Sequence, residues 1–157
     1  MTTPTTVAPL PIPSIVHRLN PLVRRLLAIG VPMGPNVLMT VRGRKSGKAY
    51  TFPVATLAVD GREFLFSPFG EVSWVHNLRA SGEATIRRGR REHRMTALEL
   101  APDVAATRLE AGLRPVLGMP LFGSMIAGWY GIDRGSTRDD YLVAARQHPG
   151  FELTPAG

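Results

Sequence analysis

Between residues 36 and 99 the polarity alternates residue by residue, in short runs broken by tight glycine-bearing turns. NVLMTVRG reads as one strand, RKSGK as a turn and AYTFPVATLAV as a second strand. Asp60-Gly61 then forms a type I′ hairpin into REFLFSPF. EATIRR and REHRMTALEL are two more strands, joined at Gly89-Arg90. Strands linked by such short turns can pair only antiparallel, because a parallel crossover needs a dozen residues or more. Pro53 lies inside the second strand and has no N–H to donate, so an edge, a bulge or a missing ladder bond is expected there.

Helical signals fall between and around these strands. Ser73 is placed to cap SWVHNLRAS, and Gly82 to end it. Pro102-Asp103 opens a helix running to about Pro115, and a last helix over residues 137–146 precedes HPGFEL, a closing strand. Near the start, Ile15, Leu19, Leu22, Val23, Leu26 and Leu27 recur at helical spacing, with Asn20-Pro21 as cap and first residue. Two readings stay open for that amphipathic helix: it packs on the barrel, or it touches an anionic lipid surface through Arg18, Arg24 and Arg25. Residues 1–13 read as a flexible tail and residues 14–157 as one domain. The expected class is α+β, with five or six mostly antiparallel strands closing into a small barrel and helices inserted between them.

Composition removes several chemistries. There is no cysteine, so disulfides, thiolate metal sites and cysteine nucleophiles are excluded. His17, His76, His93 and His148 are too scattered for metal-ligand spacing, and Asp139-Asp140 has no partner cluster, so no metal is expected. The apolar stretch over residues 113–132 contains Arg114, two prolines and four glycines, which argues for a hydrophobic lid or wall instead of a membrane span. The net charge is +7, which favours anionic partners. The hairpin arginines Arg87, Arg88, Arg90, Arg91 and Arg94 lack the interleaved aromatics of a nucleic-acid site. They read as solvated charge, or as a subunit or membrane contact.

Both lysines of the chain, Lys45 and Lys48, fall in the turn TVRGRKSGKAY. A phosphate loop is excluded: Gly43 to Gly47 is one residue short, Ala49 follows Lys48, and the stretch joins two strands without opening a helix. Glycine backbone, the Ser46 hydroxyl and the charges of Arg44 and Lys45 nevertheless suit an anion, and a solvated hairpin tip is the alternative.

Taken together, VLMTVRGRKSGKAYTFPVATL, DGREFLFSPFG and WVHNLRASGEATIRRGRR resemble the deazaflavin-dependent nitroreductases, small split β-barrel proteins most of which bind coenzyme F420. The resemblance implies that Arg44, Lys45, Ser46 and Gly47 meet the cofactor's phosphate and acidic tail. Pro53 and Val54 would lie along the deazaflavin ring, and Trp74 and Asn77 would border its pocket. Tyr50 stands where many members have arginine, and SPFGEVSW is short and carries no cation. Arg42 and Lys48 are the charges available to stand in. The short loop and the apolar segment before Tyr130 resemble a branch associated with lipid-like ligands and membranes. Tyr130 and Tyr141 are candidates to face the substrate, with buried core tyrosines as the competing reading.

The function implied is an F420-dependent reductase passing a hydride to a small electron-poor acceptor such as a nitroaromatic, quinone or enone, with no catalytic side chain required. The alternative is a fatty-acid or other apolar-ligand binding protein on the same scaffold, and FMN or a tetrapyrrole are the lesser cofactor choices. A cytoplasmic monomer or homodimer is expected, with peripheral contact to anionic membrane.

Overall fold

A strand that alternates in polarity must bury one face, and here both faces of the sheet find a cover. The computed structural model describes residues 36–156, together with Pro21, Leu22 and Arg25. Within these, the strands are β1 Asn36–Arg42, β2 Ala49–Val59, β3 Arg62–Phe66, β4 Glu83–Arg88, β5 Arg91–Glu99 and β6 Gly150–Pro155. They close in the order β1-β2-β3-β6-β5-β4, every neighbouring pair antiparallel. The segment HPGFEL therefore does close the barrel, as β6 between β3 and β5.

Four helices complete the described fold: α1 Ser73–Ser81, α2 Pro102–Leu117, α3 Phe122–Tyr130 and α4 Arg138–Gln147. The Asp60-Gly61 turn has positive φ at both residues, 52° and 73°, as a type I′ hairpin requires. Ser73 is not the cap of α1. Val72 holds that position without a side-chain bond, and Ser73 is already helical. Gly82 does end the helix, in the left-handed conformation. Thr137 caps α4 and forms a capping box with Asp140.

The period of two sorts side chains into two cores. Val37, Met39, Val41, Leu65, Ala84, Ile86, Met95, Ala97, Phe151 and Leu153 fill the barrel lumen, joined from above by Val75 and Leu78 of α1. On the outside, Val59, Phe64 and Phe66 pack against Ala105, Leu109, Leu113, Ile126, Tyr130 and Tyr141 from the helices. Both cores are about equally dry, so the α+β class follows from one sheet with two apolar faces. The apolar stretch at residues 113–132 divides at a corner into the end of α2 and the whole of α3. Among the described residues, no helix is long and apolar enough to cross a membrane.

The barrel is unevenly closed. β2 pairs with β1 over Ala49 to Ala55, but with β3 only over Thr56 to Val59. The first half of β2 thus has one unpaired edge, and Pro53 lies in it, opposite Leu38 of β1. Proline is tolerated because the edge it would have served carries no partner strand. The N-terminal helix and tail anticipated above fall outside the described residues, except for the helical, exposed Pro21, Leu22 and Arg25.

Candidate functional site

At the end of the barrel where β1 turns into β2, backbone and side chains lock the turn from within. The Gly43 N–H donates to the Lys48 carbonyl (2.7 Å) and the Gly47 N–H to the Gly43 carbonyl (2.9 Å). The Lys48 N–H donates to Ser46 Oγ (3.2 Å), and Arg42 Nη1 to the Gly47 carbonyl (3.1 Å). Gly47 sits at φ +69°, a conformation that strains any residue with a Cβ. Gly43 is required for a different reason: a Cβ there would lie 2.8 Å from the Tyr50 ring and 2.9 Å from Ser46 Oγ. Tyr50, exposed at the strand's start, therefore lies over Gly43 and helps set the shape of the turn.

One side chain from another element fixes this turn to the body. Asn77 of α1 is buried, and its Oδ1 accepts both from the Arg44 backbone N–H (3.1 Å) and from Arg44 Nη1 (2.7 Å). Arg44 is accordingly held, whereas Lys45 and Lys48 project into solvent. Among the described residues, Arg42, Arg44, Lys45 and Lys48 have no carboxylate partner. Four cations within seven residues repel one another, and an anion seated among them would relieve that repulsion.

The unpaired half of β2 runs away from this turn. Alternation sends Phe52 and Val54 toward the lumen core, while Leu57 and Val59, on the opposite parity, join the outer core with the helices. Pro53 therefore faces outward and Val54 inward, so the two present different walls to anything lying along the strand. Trp74 of α1 fills the gap where β2 has parted from β3. Its ring lies 6.2 Å from Phe52 and 6.3 Å from Phe151, tilted against both. Half-buried, it leaves part of its indole at the mouth of the split.

Hence the structure brings Arg42, Arg44, Lys45, Ser46, Gly47, Lys48 and Asn77 together, with Pro53, Val54 and Trp74 on the adjoining edge. It does not bring Tyr130 or Tyr141 there. The Tyr130 ring lies 4.6 Å from that of His148, tilted against it, and Tyr141 has no exposure; both sit in the helical core. Burial pushes the Tyr130 phenol far above its ordinary range. Burial also raises the Tyr141 phenol, with the Arg114 guanidinium, 5.6 Å from its ring, opposing the shift. Phe52 and the Asn77–Arg44 bonds were missed by sequence reasoning. Phe52 shares the parity of Val54, which was signal enough to find it; the Asn77 contact crosses 33 positions and left no local signature.

The donor set can be tested against the cofactor that the resemblance implies. Coenzyme F420 is a planar heteroaromatic ring joined through a phosphodiester to a polycarboxylate tail. A turn with four unneutralised cations, a hydroxyl and a positive-φ glycine, next to an open strand edge and an indole, matches those parts in kind and in order. The residues fit.

A family model described as F420H(2)-dependent quinone reductase matches residues 19–117, more than half of the chain, leaving α3, α4 and β6 outside the match. No curated protein matches. Among solved structures, an F420-H2 dependent reductase is 21% identical, with 76% of this chain and 94% of that chain covered and a TM-score of 0.45. A candidate 5-nitroimidazole antibiotic resistance protein from Bacteroides thetaiotaomicron is 12% identical, with 85% and 80% covered and a TM-score of 0.51. A conserved hypothetical protein from Mycobacterium tuberculosis is 10% identical, with 85% and 80% covered and a TM-score of 0.50. At such identities the last two establish a shared fold and nothing more.

Proposed function

The chain belongs to the F420H(2)-dependent quinone reductase family, and from that premise we propose that it reduces a quinone, or another electron-poor acceptor such as a nitroaromatic or an enone. Membership makes it an F420-dependent oxidoreductase; the acceptor and the residue roles are our reading. When bound, the reduced cofactor supplies the hydride. The chain's own residues bind, orient and shield. Lys45, Lys48 and Arg42 neutralise the phosphate and carboxylates of the tail, the Ser46 hydroxyl donates a hydrogen bond, and Gly47, whose N–H is given to Gly43, holds the turn in shape. Arg44, held by Asn77, presents its remaining N–H groups in a fixed direction. Pro53 and the open edge of β2 lie along the ring, with Val54 supporting the strand from the lumen side. Trp74 keeps water from the split. Tyr130 and Tyr141 support the helical wall and do not touch the acceptor.

The observation that carries this reading is the set of four turn cations without a carboxylate partner among the described residues, anchored through one buried asparagine. It also favours F420 over a purely apolar ligand, which would gain nothing from them. Titrating the protein with oxidised F420 should quench or polarise the cofactor's fluorescence, and raised salt should weaken the interaction. No binding at moderate salt would overturn the site assignment. If F420 binds but none of the three acceptor classes reoxidises its reduced form faster than in protein-free buffer, the acceptor assignment fails alone.

A further inference from the structure

The outward face of β1 and β2 changes chemistry row by row as it leaves the cationic turn. The register pairs Arg42 with Ala49, Thr40 with Thr51 and Leu38 with Pro53, and parity places all six on the side away from the lumen core. Rows on one face repeat every second residue, about 6.6 Å apart along the strand. A cation therefore stands at the turn, a pair of hydroxyls one row on, and Pro53 beside buried Leu38 one row further. In the proposed function Arg42 serves the anionic tail and Pro53 the ring. The hydroxyl row between them has no part in it.

Thr40 Oγ1 and Thr51 Oγ1 lie 2.7 Å apart, and both residues are half-buried. Two hydroxyls bring two protons and four lone pairs, and the bond between them uses one of each. One O–H and three lone pairs are left over. Either oxygen can be the donor, so the pair can offer its spare proton from either strand without moving a side chain. Thr51 also lies in the half of β2 that has no partner on its β3 side, so a ligand along that edge reaches the pair. Hydroxyls that both donate and accept suit a ligand that does the same. Carboxylates and ring carbonyls only accept; alcohols do both. In a deazaflavin cofactor the segment between ring and phosphate is a chain of alcohols, and the pair occupies the matching place between Pro53 and Arg42. A cross-strand threonine pair also supports the sheet by itself, and the two roles are separable by experiment.

We infer that Thr40 and Thr51 seat the polyol linker of the cofactor, exchanging hydrogen bonds with its alcohol groups and so setting how far along β2 the ring lies from the turn. The inference rests on the cofactor reading of this site. It is tested with the full chain by fluorescence titration with F420, and by competition with two phosphate-free 5-deazaflavins, one carrying an N10 ribityl chain and the other an N10 methyl group. The intact protein should prefer the ribityl compound. Thr40→Val with Thr51→Val keeps the branched shape and removes both hydroxyls. It should weaken F420 and the ribityl compound alike, by roughly three- to tenfold, and leave the methyl compound within about twofold, so that the preference disappears. Thr40→Ser with Thr51→Ser keeps the hydroxyls on side chains less suited to a strand. It should retain the preference while its melting temperature falls, which separates loss of the contact from loss of the fold. Thr96→Val, at an exposed threonine on β5, should change neither. Equal preference in the intact protein and the valine variant would overturn the inference and leave the cofactor reading standing. So would a valine variant that loses the methyl compound as strongly as the ribityl one, which would place the hydroxyls against the ring. Failure of the intact protein to bind F420 would overturn both.

Discussion

The two turns that bound β2 treat charge in opposite ways. At the β2–β3 turn, at the far end, Asp60, Arg62 and Glu63 each have a partner. Arg88 pairs with Glu63 across the lumen, Arg62 with Glu152 (2.6 Å) and Arg108 with Asp60 (3.2 Å). At the near end, the β1–β2 turn leaves four cations without a carboxylate among the described residues. The arginine hairpin Gly89-Arg90, also at the far end, is mixed: Arg88 pairs with Glu63 and Arg87 donates to the Gly89 carbonyl, while among the described residues Arg90 and Arg91 have no ion pair. Charge at the β2–β3 turn closes the barrel. Charge at the β1–β2 turn is left for something from outside, and this asymmetry between the two turns, not the net charge of +7, points to the site.

The comparison breaks most visibly if the near-end cations are removed. Arg44→Ala with Lys45→Ala should weaken F420 binding about a hundredfold or more, because charge-assisted hydrogen bonds contribute roughly 1.5–3 kcal/mol each. Thermal stability should change by no more than about 1 kcal/mol, since exposed charges contribute little to folding. Asn77→Ala supplies the finer reading. It should weaken binding less in the Arg44→Ala background than in the intact protein, because Asn77 acts through Arg44. Fluorescence titration of the four proteins gives the coupling, and strictly additive losses would show that Asn77 contacts the cofactor itself.

The far end should respond in the reverse sense. Glu63→Gln leaves Arg88 without its carboxylate at the lumen mouth, where one carboxylate oxygen is shielded from water. The Arg88 side chain is 43% exposed, so the penalty falls between that of a surface pair and that of a buried one, about 1–2 kcal/mol. Denaturant unfolding should register this loss, while affinity for F420 stays within about twofold of the intact protein. A stable Glu63→Gln variant with impaired binding would show that the two ends are not separate systems.

The same contrast explains what the sequence could reveal. Alternation and turn chemistry are local, so all six strands, the Asp60-Gly61 hairpin and the Pro53 edge were legible, as was the cationic turn. Contacts between distant positions were not. Nothing near Glu63 announces Arg88, and Asn77 looks like any helical asparagine until α1 is laid over the barrel end. Tyr130 and Tyr141 show the limit from the other side. A phenol in or beyond the apolar stretch is equally compatible with a pocket wall and with a core, and only packing against His148 and Arg114 decides. Ser73 illustrates a smaller ambiguity: a helix N-terminus can start one residue early when the preceding valine has extended backbone.

The smallest effect expected concerns neither end but the seam between the barrel and its helices. His148 is 1% exposed, with Nδ1–H donating to the Ser67 carbonyl (2.9 Å) and its ring on Tyr130. Burial lowers its pKa below 6.5, and the backbone hydrogen bonds only partly oppose that shift. The folded state therefore binds its proton less readily than the unfolded chain does. Above pH 6.5 both states are neutral at this site and stability is unaffected. As pH falls below 6.5 the unfolded chain is protonated first, and stability declines until the folded pKa is reached. His148→Gln retains a donor for Ser67 without the titration, so its melting temperature should fall less between pH 7.5 and pH 5 than that of the intact protein. The carboxylates common to both proteins cancel in that difference, which isolates the imidazole. Parallel curves would mean that the seam opens far enough to hydrate His148, and that the two cores are less firmly joined than their packing indicates.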